Sequence, residues 1–442
     1  MGLTGLEIYK QLPKTNCGEC GPPTCLAFAM ALAAGKASLD SCPHVTEAAK
    51  ETLGAAAAPP IKLVKVGTGD KVVQLGDETV IFRHDKTFFH PTGIAFAVDD
   101  TEDVAGKVAT INDLKFERVG LQYDVDMVAV KYVSGNPDTY KAAVQTVAAN
   151  TSLAIVLLAG DAAAAEKALE VCGDKKPLIY AAKMDNYEKM VELAKKYSAP
   201  LAVYAEGLDA LAELVEKVVA LGYKELVLDP GARTMQAAIA DFTQIRRLAI
   251  KKKFRPLGYP IIAFTTAADP LEEALEAQVY ISKYASMLVL KSTDKAIILP
   301  LLTWRQNLYT DPQKPVAVEA GVHVVGEVGP DSPVYVTTNF SLTYYCVEPE
   351  VEGTKIPSYI IAVDTDGTSV MTAWAAGKFV AETIAEYLPK CGIADKVNHK
   401  KLIIPGGVAA ISGKLQELSG WEVIVGPRDA SQIGGFAKVK LS

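Results

Sequence analysis

"PLIYAAKMDNYEKMVELAKKYSAPLAVYAEGLDALAELVEKVVALGYKELVLD" (177–229) holds three short apolar runs, PLIYAA (177–182), PLAVYA (200–205) and ELVLD (225–229). Between them lie NYEKMVELAKKY (186–197) and LDALAELVEKVVALG (208–222). The apolar runs are continuous rather than alternating, as strands buried on both faces are. The stretches between them have helical length and period. A strand–helix–strand order of this kind builds a parallel sheet.

Reading outward, the same unit recurs. IAFAV (94–98), MVAVKYV (127–133) and LAIVLL (153–158) precede it, and PIIAFTT (260–266) and MLVLKS (287–292) follow. Eight such strands with intervening helices predict a (β/α)8 TIM barrel over 93–310 rather than an open sheet. AIILPLL (296–302) is a further apolar run that leaves the count open by one. After the Pro-rich YTDPQKP (309–315) the spacing lengthens. PVYVTTN (333–339), YIIAVDT (359–365), KLIIPG (401–406) and WEVIVG (421–426) read as strands, and SVMTAWAAGKFVAETIAEYL (369–388) as one helix. Its stripe of Val370, Ala373, Gly377, Val380, Ile384 and Leu388 predicts a core-facing side. Residues 311–442 therefore read as a smaller, doubly wound α/β domain. Upstream, 58–92 reads as a linker with short β segments, IKLVKV (61–66), KVVQL (71–75) and TVIFRH (79–84). Residues 1–57 form a separate module ending in AAAAPP (55–60), read as a flexible tether.

Half of the 442 residues are hydrophobic, and Lys+Arg 45 against Asp+Glu 52 gives a net charge of −7. The one dense basic run is KKKFR (251–255), so a nucleic-acid partner is not expected. No apolar run approaches the ~18 residues of a membrane span, and the first residues lack a signal-peptide pattern. A cytoplasmic protein is expected, where clustered cysteines are more often metal ligands than disulfides.

Four of the seven cysteines fall in NCGECGPPTCLAFAM (16–30) and at Cys42, with spacing C-x2-C-x4-C-x16-C. Gly18 and Gly21 permit the tight turn between Cys17 and Cys20. Cys25 opens a helix whose positive end suits an anionic cluster, with Gly35 as its stop. Cys42 precedes Pro43, as in bacterial ferredoxin runs. A zinc knuckle competes, but it usually pairs C-x2-C with a second Cys or His pair, and only His44 is near. The pattern favours a 4Fe–4S cluster on Cys17, Cys20, Cys25 and Cys42.

NCGECGPPTCLAFAMALAAGKASLDSCP (16–43), the central barrel and DTDGTSVMTAWAAGKFVAETIAEYLPK (364–390) together resemble the large-subunit family of corrinoid iron–sulfur proteins of the reductive acetyl-CoA pathway. A related subunit occurs in the archaeal acetyl-CoA decarbonylase/synthase complex. The resemblance spans essentially the whole chain. It implies a methyl carrier whose C-terminal domain binds a corrinoid. Cobalt, as Co(I), accepts a methyl group from methyltetrahydrofolate through a methyltransferase and delivers it to the nickel site of acetyl-CoA synthase, while the 4Fe–4S cluster returns Co(II) to Co(I). It also implies a small barrel subunit as heterodimer partner and a ferredoxin or reductive activator.

Three loops after strands in the last domain, 336–345, 364–372 and 426–435, stand where open α/β sheets bind ligands. By the resemblance, Thr338, Asn339, Tyr344, Ser369, Val370, Met371, Thr372 and Ala430 are the corrinoid contacts. Thr368 or Ser369 should cap the helix at that turn. None of the five histidines lies in a D-x-H-x-x-G pattern, so a base-off corrinoid without protein His on cobalt is expected, with Thr372 or its neighbours toward the lower axial side. Asp185, Asn186, Glu206, Asp229, Thr265 and Thr266 fall at barrel strand ends, where a second site would lie; lacking an acid/base pair, they favour a scaffold. The alternatives are a pterin-dependent barrel methyltransferase with an electron-transfer module, and an electron-transfer subunit that binds flavin or protein only.

Overall fold

The structure, a computed structural model, describes residues 5–33, 37, 39–46, 49, 59–85, 87–312 and 315–441. The chain divides into two compact units, Met1–Lys115 with Asp124–Tyr309, and Phe116–Tyr123 with Thr310–Ser442.

At the start of the first unit, helix Gly5–Gln11 packs on helix Cys25–Ala33. Ile8, Leu12, Phe28 and Ala29 bury together with Cys25 and Cys42. A core this small rarely stands on apolar burial alone, so a metal tie among its cysteines is physically apt. The Thr24 hydroxyl caps the second helix by accepting the Ala27 N–H at 3.1 Å. The expected stop at Gly35 and tether residues 55–58 lie outside the described residues. Pro59, at the end of the tether, accepts an Arg255 N–H at 3.1 Å.

β1 (Val64–Val66) and β2 (Val73–Leu75) pair antiparallel. This ribbon is a plug rather than a simple connector. Val64, Val66 and Leu75 bury among Ala95, Met127, Ala154 and Leu178 inside the barrel. The third β segment expected at 79–84 does not form. The Val80 carbonyl accepts from Arg246 Nε at 2.9 Å, and the chain turns where Asp85 N–H donates to Phe82 O. Arg246 also donates to Glu78 Oε2 at 2.8 Å, with both side chains buried. The guanidinium lies 5.2 Å from the Phe88 ring and 5.0 Å from that of Tyr284. A bonded, ring-covered cation has replaced the strand partner.

β3 (Gly93–Asp99) is followed by a hairpin, β4 (Lys115–Arg118) and β5 (Leu121–Asp124), and then by β6 (Met127–Lys131), β7 (Ala154–Leu158), β8 (Leu178–Ala182), β9 (Leu201–Tyr204), β10 (Leu226–Asp229), β11 (Ile262–Phe264) and β12 (Met287–Leu290). The eight expected strands all form. They pair in parallel in the order β10-β9-β8-β7-β6-β3-β12-β11, and a Leu228–Ile261 bridge brings the two ends together. The result is a nearly closed barrel. AIILPLL belongs to helix Lys295–Tyr309, where Ile297, Ile298, Leu301 and Leu302 bury at helical spacing. The β4–β5 hairpin was not legible in the sequence. Its turn places Val119 and Gly120 at φ 54° and 68°, and the hairpin belongs to the second unit. A Cβ on Gly120 would come within 2.0 Å of the Tyr345 hydroxyl.

The second unit holds β13 (Gly321–Val325), β14 (Val334–Thr338), β15 (Ser358–Val363), β16 (Lys401–Ile404) and β17 (Glu422–Val425) in the order β13-β15-β14-β16-β17. All pairs are parallel except that of β13, an edge strand in GVHVVG that the sequence reading passed over. Both faces are covered. Val336, Ile361 and Ile404 pack with Phe379 and Ile384 on one side, and Tyr335, Ile360 and Ile403 with Tyr344 and Ile433 on the other. Two expectations fail here. The helix read over 369–388 is two, Val370–Ala375 and Ala381–Lys390, broken where Gly377 takes φ 72°. The polar loop read over 336–345 is only a brief link, because helix Ser341–Gly353 starts directly after β14.

The buried Arg246–Glu78 pair gives a direct test. Arg246→Leu strands the Glu78 carboxylate and should destabilise the protein by about 3–5 kcal/mol. Lys217→Leu, at an exposed i,i+4 pair of 3.0 Å with Glu213, should change stability by less than about 1 kcal/mol. Chemical denaturation of both variants measures the difference; equal effects would contradict it.

Candidate functional site

The N-terminal module carries four cysteines. Asn16 brackets one of them: its N–H donates to Cys25 Sγ at 3.4 Å, and its Oδ1 accepts the Cys25 N–H at 2.8 Å. Asn16, Gly18 and Gly21 have φ of 51°, 76° and 98°, so the chain reverses tightly around Cys17 and Cys20. A Cβ on either glycine would meet nothing within 4 Å; these glycines supply the turn, not space. Cys25 and Cys42 are buried, Cys20 is half-buried and Cys17 is exposed. Burial pushes the Cys20 thiol up, and the neighbouring Cys42, Cys17 and Cys25 push the same way. The other three cysteines are therefore within electrostatic reach of Cys20. The ionised form is disfavoured there until a cation joins the sulfurs. His44 Nε2 lies 3.0 Å from Glu19 Oε2, and with Cys17 these form an exposed trio whose ligand atoms lie within 4.8 Å of one another. That mixed trio suits a single ion, whereas the four-sulfur set suits a cluster.

The second site is a cavity of about 370 Å³ in the second unit. It opens where the strand order reverses about β14, the switch point at which open α/β sheets take ligands. β14 and β16 share only the Tyr335–Ile403 pair before they diverge. Tyr335 and Thr337 line the cavity, and their buried hydroxyls have no hydrogen-bond partner among the described residues; nor does that of Thr338. Burial pushes the Tyr335 phenol up to about 12. Buried polar groups are seldom left so, and the Tyr335 and Thr337 hydroxyls are free to meet a polar ligand atom or a water. Gly407 and Gly426 line the cavity, and Gly406 packs beside them. A Cβ on Gly406 would meet Gly426 O at 2.5 Å, and one on Gly407 would meet Met371 Sδ at 3.0 Å.

The sequence-predicted contacts separate into three groups. Val370, Met371 and Ala430 line the cavity. Ser369 is the N-cap residue of helix Val370–Ala375, but its hydroxyl donates to Thr372 Oγ1 at 3.0 Å instead of capping the backbone. Thr338, Asn339 and Tyr344 are not among the lining residues. Asn339 instead holds the turn after β15: its Oδ1 accepts from Thr365 N (2.9 Å), Thr365 Oγ1 (3.1 Å) and Gly367 N (3.1 Å), and its Nδ2 donates to Asp364 Oδ1 (3.2 Å). Tyr344 donates to Glu348 Oε1 at 3.0 Å and packs on His323, with ring centroids 4.7 Å apart. Burial, then Glu348, raises its pKa.

At the barrel mouth the polar residues brace one another. Asp229 accepts two Arg233 N–H bonds, at 3.0 and 2.7 Å, and the Tyr180 hydroxyl at 2.7 Å. Burial alone would lower the Arg233 pKa, but Asp229 outweighs it and holds it above its ordinary value. Thr265 donates to Glu273 and Thr266 to Glu276, while Asn186 accepts from Lys183 N and donates to Gly160 O. Glu206 is exposed and accepts from Tyr204; Asp185 is exposed.

A family model described as CO dehydrogenase/acetyl-CoA synthase delta subunit matches residues 63–437. The chain belongs to this delta subunit family. A separate Fe–S cluster model matches residues 12–44, the segment of the four cysteines. The chain is 60% identical to the corrinoid/iron-sulfur protein large subunit of Moorella thermoacetica, with 100% of both chains covered. It is 37% identical to the acetyl-CoA decarbonylase/synthase complex subunit gamma of Methanothermobacter thermautotrophicus (99% and 98% covered), and 36% to that of Archaeoglobus fulgidus (98% and 97%).

In this member of the delta subunit family, sequence reasoning missed Tyr335, Thr337, Cys346, Pro405 and Gly407, all at the cavity. The signal for the last was present, since PGG directly after an apolar strand marks a turn needing close backbone approach. Asn339 and Thr337 should respond oppositely to substitution. Asn339→Ala removes four hydrogen bonds and should destabilise the cofactor-free protein by about 2 kcal/mol or more. Thr337→Val removes an unpartnered hydroxyl at constant shape and should be neutral or stabilising. Denaturant titration decides; a large loss in Thr337→Val would mean that its hydroxyl has a partner.

Proposed function

We propose that the chain is a corrinoid-bearing methyl carrier with its own 4Fe–4S cluster. The carrying observation is the switch-point cavity, with its unpartnered buried hydroxyls, in a chain that also carries Cys17, Cys20, Cys25 and Cys42 in its N-terminal module. Four cysteines supply the thiolate ligands a cluster takes, and the cavity of about 370 Å³ offers a corrinoid a part-apolar, part-hydroxyl surface for one portion of the macrocycle. When bound, a corrinoid supplies a cobalt that accepts and releases a methyl group, and the cluster supplies single electrons.

The division of labour follows the chain: residues 1–57 hold the cluster, 58–92 lead on and plug the barrel, 93–310 form the barrel apart from the 116–123 hairpin, and 311–442 hold the corrinoid. Cys17, Cys20, Cys25 and Cys42 are the iron ligands. Val370, Met371 and Ala430 give the corrinoid an apolar wall, and Tyr335 and Thr337 offer it hydroxyls. Asn339 fixes the turn that leads into helix Val370–Ala375, and so positions the wall. Thr338, Tyr344, Ser369 and Thr372 complete the assigned set. No histidine is found among the described cavity-lining residues, which supports base-off binding without protein imidazole on cobalt. A strong axial nitrogen would favour higher oxidation states and oppose re-reduction.

The relatives' names, a large subunit and a subunit of a complex, support a partnered protein. The assigned partners are a small barrel subunit, a methyltetrahydrofolate:corrinoid methyltransferase, acetyl-CoA synthase and a ferredoxin or reductive activator, all in the cytoplasm. No described helix is long and apolar enough to cross a membrane. The barrel methyltransferase alternative has weaker support: Asp229, the buried acid at the mouth, is already held by Arg233 and Tyr180.

Two measurements test the reading. Anaerobically prepared Cys42→Ala should lose or degrade its cluster yet still bind corrinoid; retention of about four irons with an unchanged EPR signal would remove Cys42 from the ligand set. EPR of the Co(II) form should lack threefold nitrogen splitting. A nitrogen triplet that disappears in one of the five His→Ala variants would overturn base-off, His-free binding.

A further inference from the structure

The barrel mouth contains a second cavity, about 640 Å³, within the range of small-molecule sites. It lies at the C-terminal ends of the strands, where barrels collect ligands. Its charge is unusual for a surface that serves only as scaffold. Lys107, Lys131, Arg233 and Lys291 all line it. Arg233 is matched by Asp229, and Lys131 stands 4.0 Å from Asp99. The other two ammonium groups form no ion pair among the described residues. Lys291 Nζ donates only to the carbonyls of Thr266 and Ala267, at 3.1 and 3.2 Å, and Lys107 Nζ only to the Lys291 carbonyl at 3.5 Å. Glu102, the remaining acid of the lining, accepts the Asp99 N–H at 2.7 Å. Glu102 keeps its charge and has no ion-pair partner among the described residues, so the four cations outnumber Asp99, Glu102 and Asp229 by one, and the two unpaired ammonium groups face one cavity.

The cavity also has an aromatic wall. Tyr180 and Phe264 meet edge to face at 5.1 Å, and the Arg233 guanidinium lies 4.9 Å from the Phe264 ring. Asp229 holds both Tyr180 and Arg233 from below, so the wall is fixed in advance of any ligand. With no free acid/base pair beside it, the cavity is built to bind rather than to react.

We propose that the barrel mouth binds a small organic anion, a carboxylate or phosphate on a flat unsaturated body, with the anionic group at Lys107 and Lys291 and the flat body against Tyr180 and Phe264. This is independent of the corrinoid assignment. Benzoate, phenyl phosphate, inorganic phosphate and benzyl alcohol are titrated separately into the full-length protein, with calorimetry and ligand-observed saturation-transfer NMR as readouts. At least one aromatic anion should bind saturably and more tightly than inorganic phosphate or the neutral alcohol; comparison of benzoate with phenyl phosphate identifies the anionic group. The Lys107→Gln/Lys291→Gln variant should bind about tenfold more weakly or worse, whereas Lys217→Gln, at a pair outside the cavity, should bind normally. If the double variant folds poorly, Lys107→Gln alone must still weaken binding. Absence of saturable aromatic-anion binding overturns the proposal, as do equal binding of benzyl alcohol or inorganic phosphate and unchanged affinity in the lysine variants.

Discussion

Parallel strands cannot be joined by a tight hairpin, so each parallel pair demands a crossover of a dozen or more residues, and here that crossover is nearly always helical. Two consequences follow in both units. Helices cover the sheet faces, so the strands become apolar throughout, and the loops that leave the strand C-terminal ends collect on one side. In the barrel this side carries Asp229, Arg233, Thr265 and Lys291; in the smaller sheet it carries Thr338, Asn339, Pro405 and Gly426. The positions open to chemistry follow from strand direction before any individual side chain is considered.

Polar satisfaction separates bracing from binding within those edges. Glu273 and Glu276 are buried on helix Pro270–Ser282, yet both are fully engaged: Glu273 accepts the Lys291 and Ser292 N–H groups, and Glu276 those of Thr266 and Ala267. They tie the ends of β11 and β12 together and offer a ligand nothing. Asn339 does the same for the turn after β15. The hydroxyls of Tyr335, Thr337 and Thr338 break the pattern, and two of the three line the cavity. A low-dielectric interior penalises such groups until a ligand meets them. The N-terminal module shows a related logic with charge: cysteines packed into a small core repel one another as thiolates unless a cation joins them.

The barrel was legible because its strands are buried on both faces, and uninterrupted runs such as LAIVLL announce that directly. Residues whose environment is mixed were not. β13 is a partly exposed edge, and the β4–β5 hairpin is built from KFER and LQYD, which carry no apolar run. The break at Gly377 was hidden because Ala373, Ile384 and Leu388 are buried on either side of it, so the apolar stripe continues through the kink. The sites divide likewise. The Fe–S segment over 12–44 is visible as cysteine spacing, whereas a cavity between diverging strands is a tertiary object. Val370, Met371 and Ala430 came from family resemblance; Tyr335 and Thr337 looked like ordinary strand residues until their hydroxyls proved to lack partners.

The most direct measurement is the near-UV and visible absorption spectrum of the anaerobically purified protein, taken together with cobalt and iron analysis of the same sample. A methyl carrier with a resident cluster should show corrinoid bands above an iron–sulfur shoulder, with about one cobalt and about four irons per chain. Flavin bands, or iron–sulfur absorption with no cobalt even after incubation with corrinoid, would contradict it.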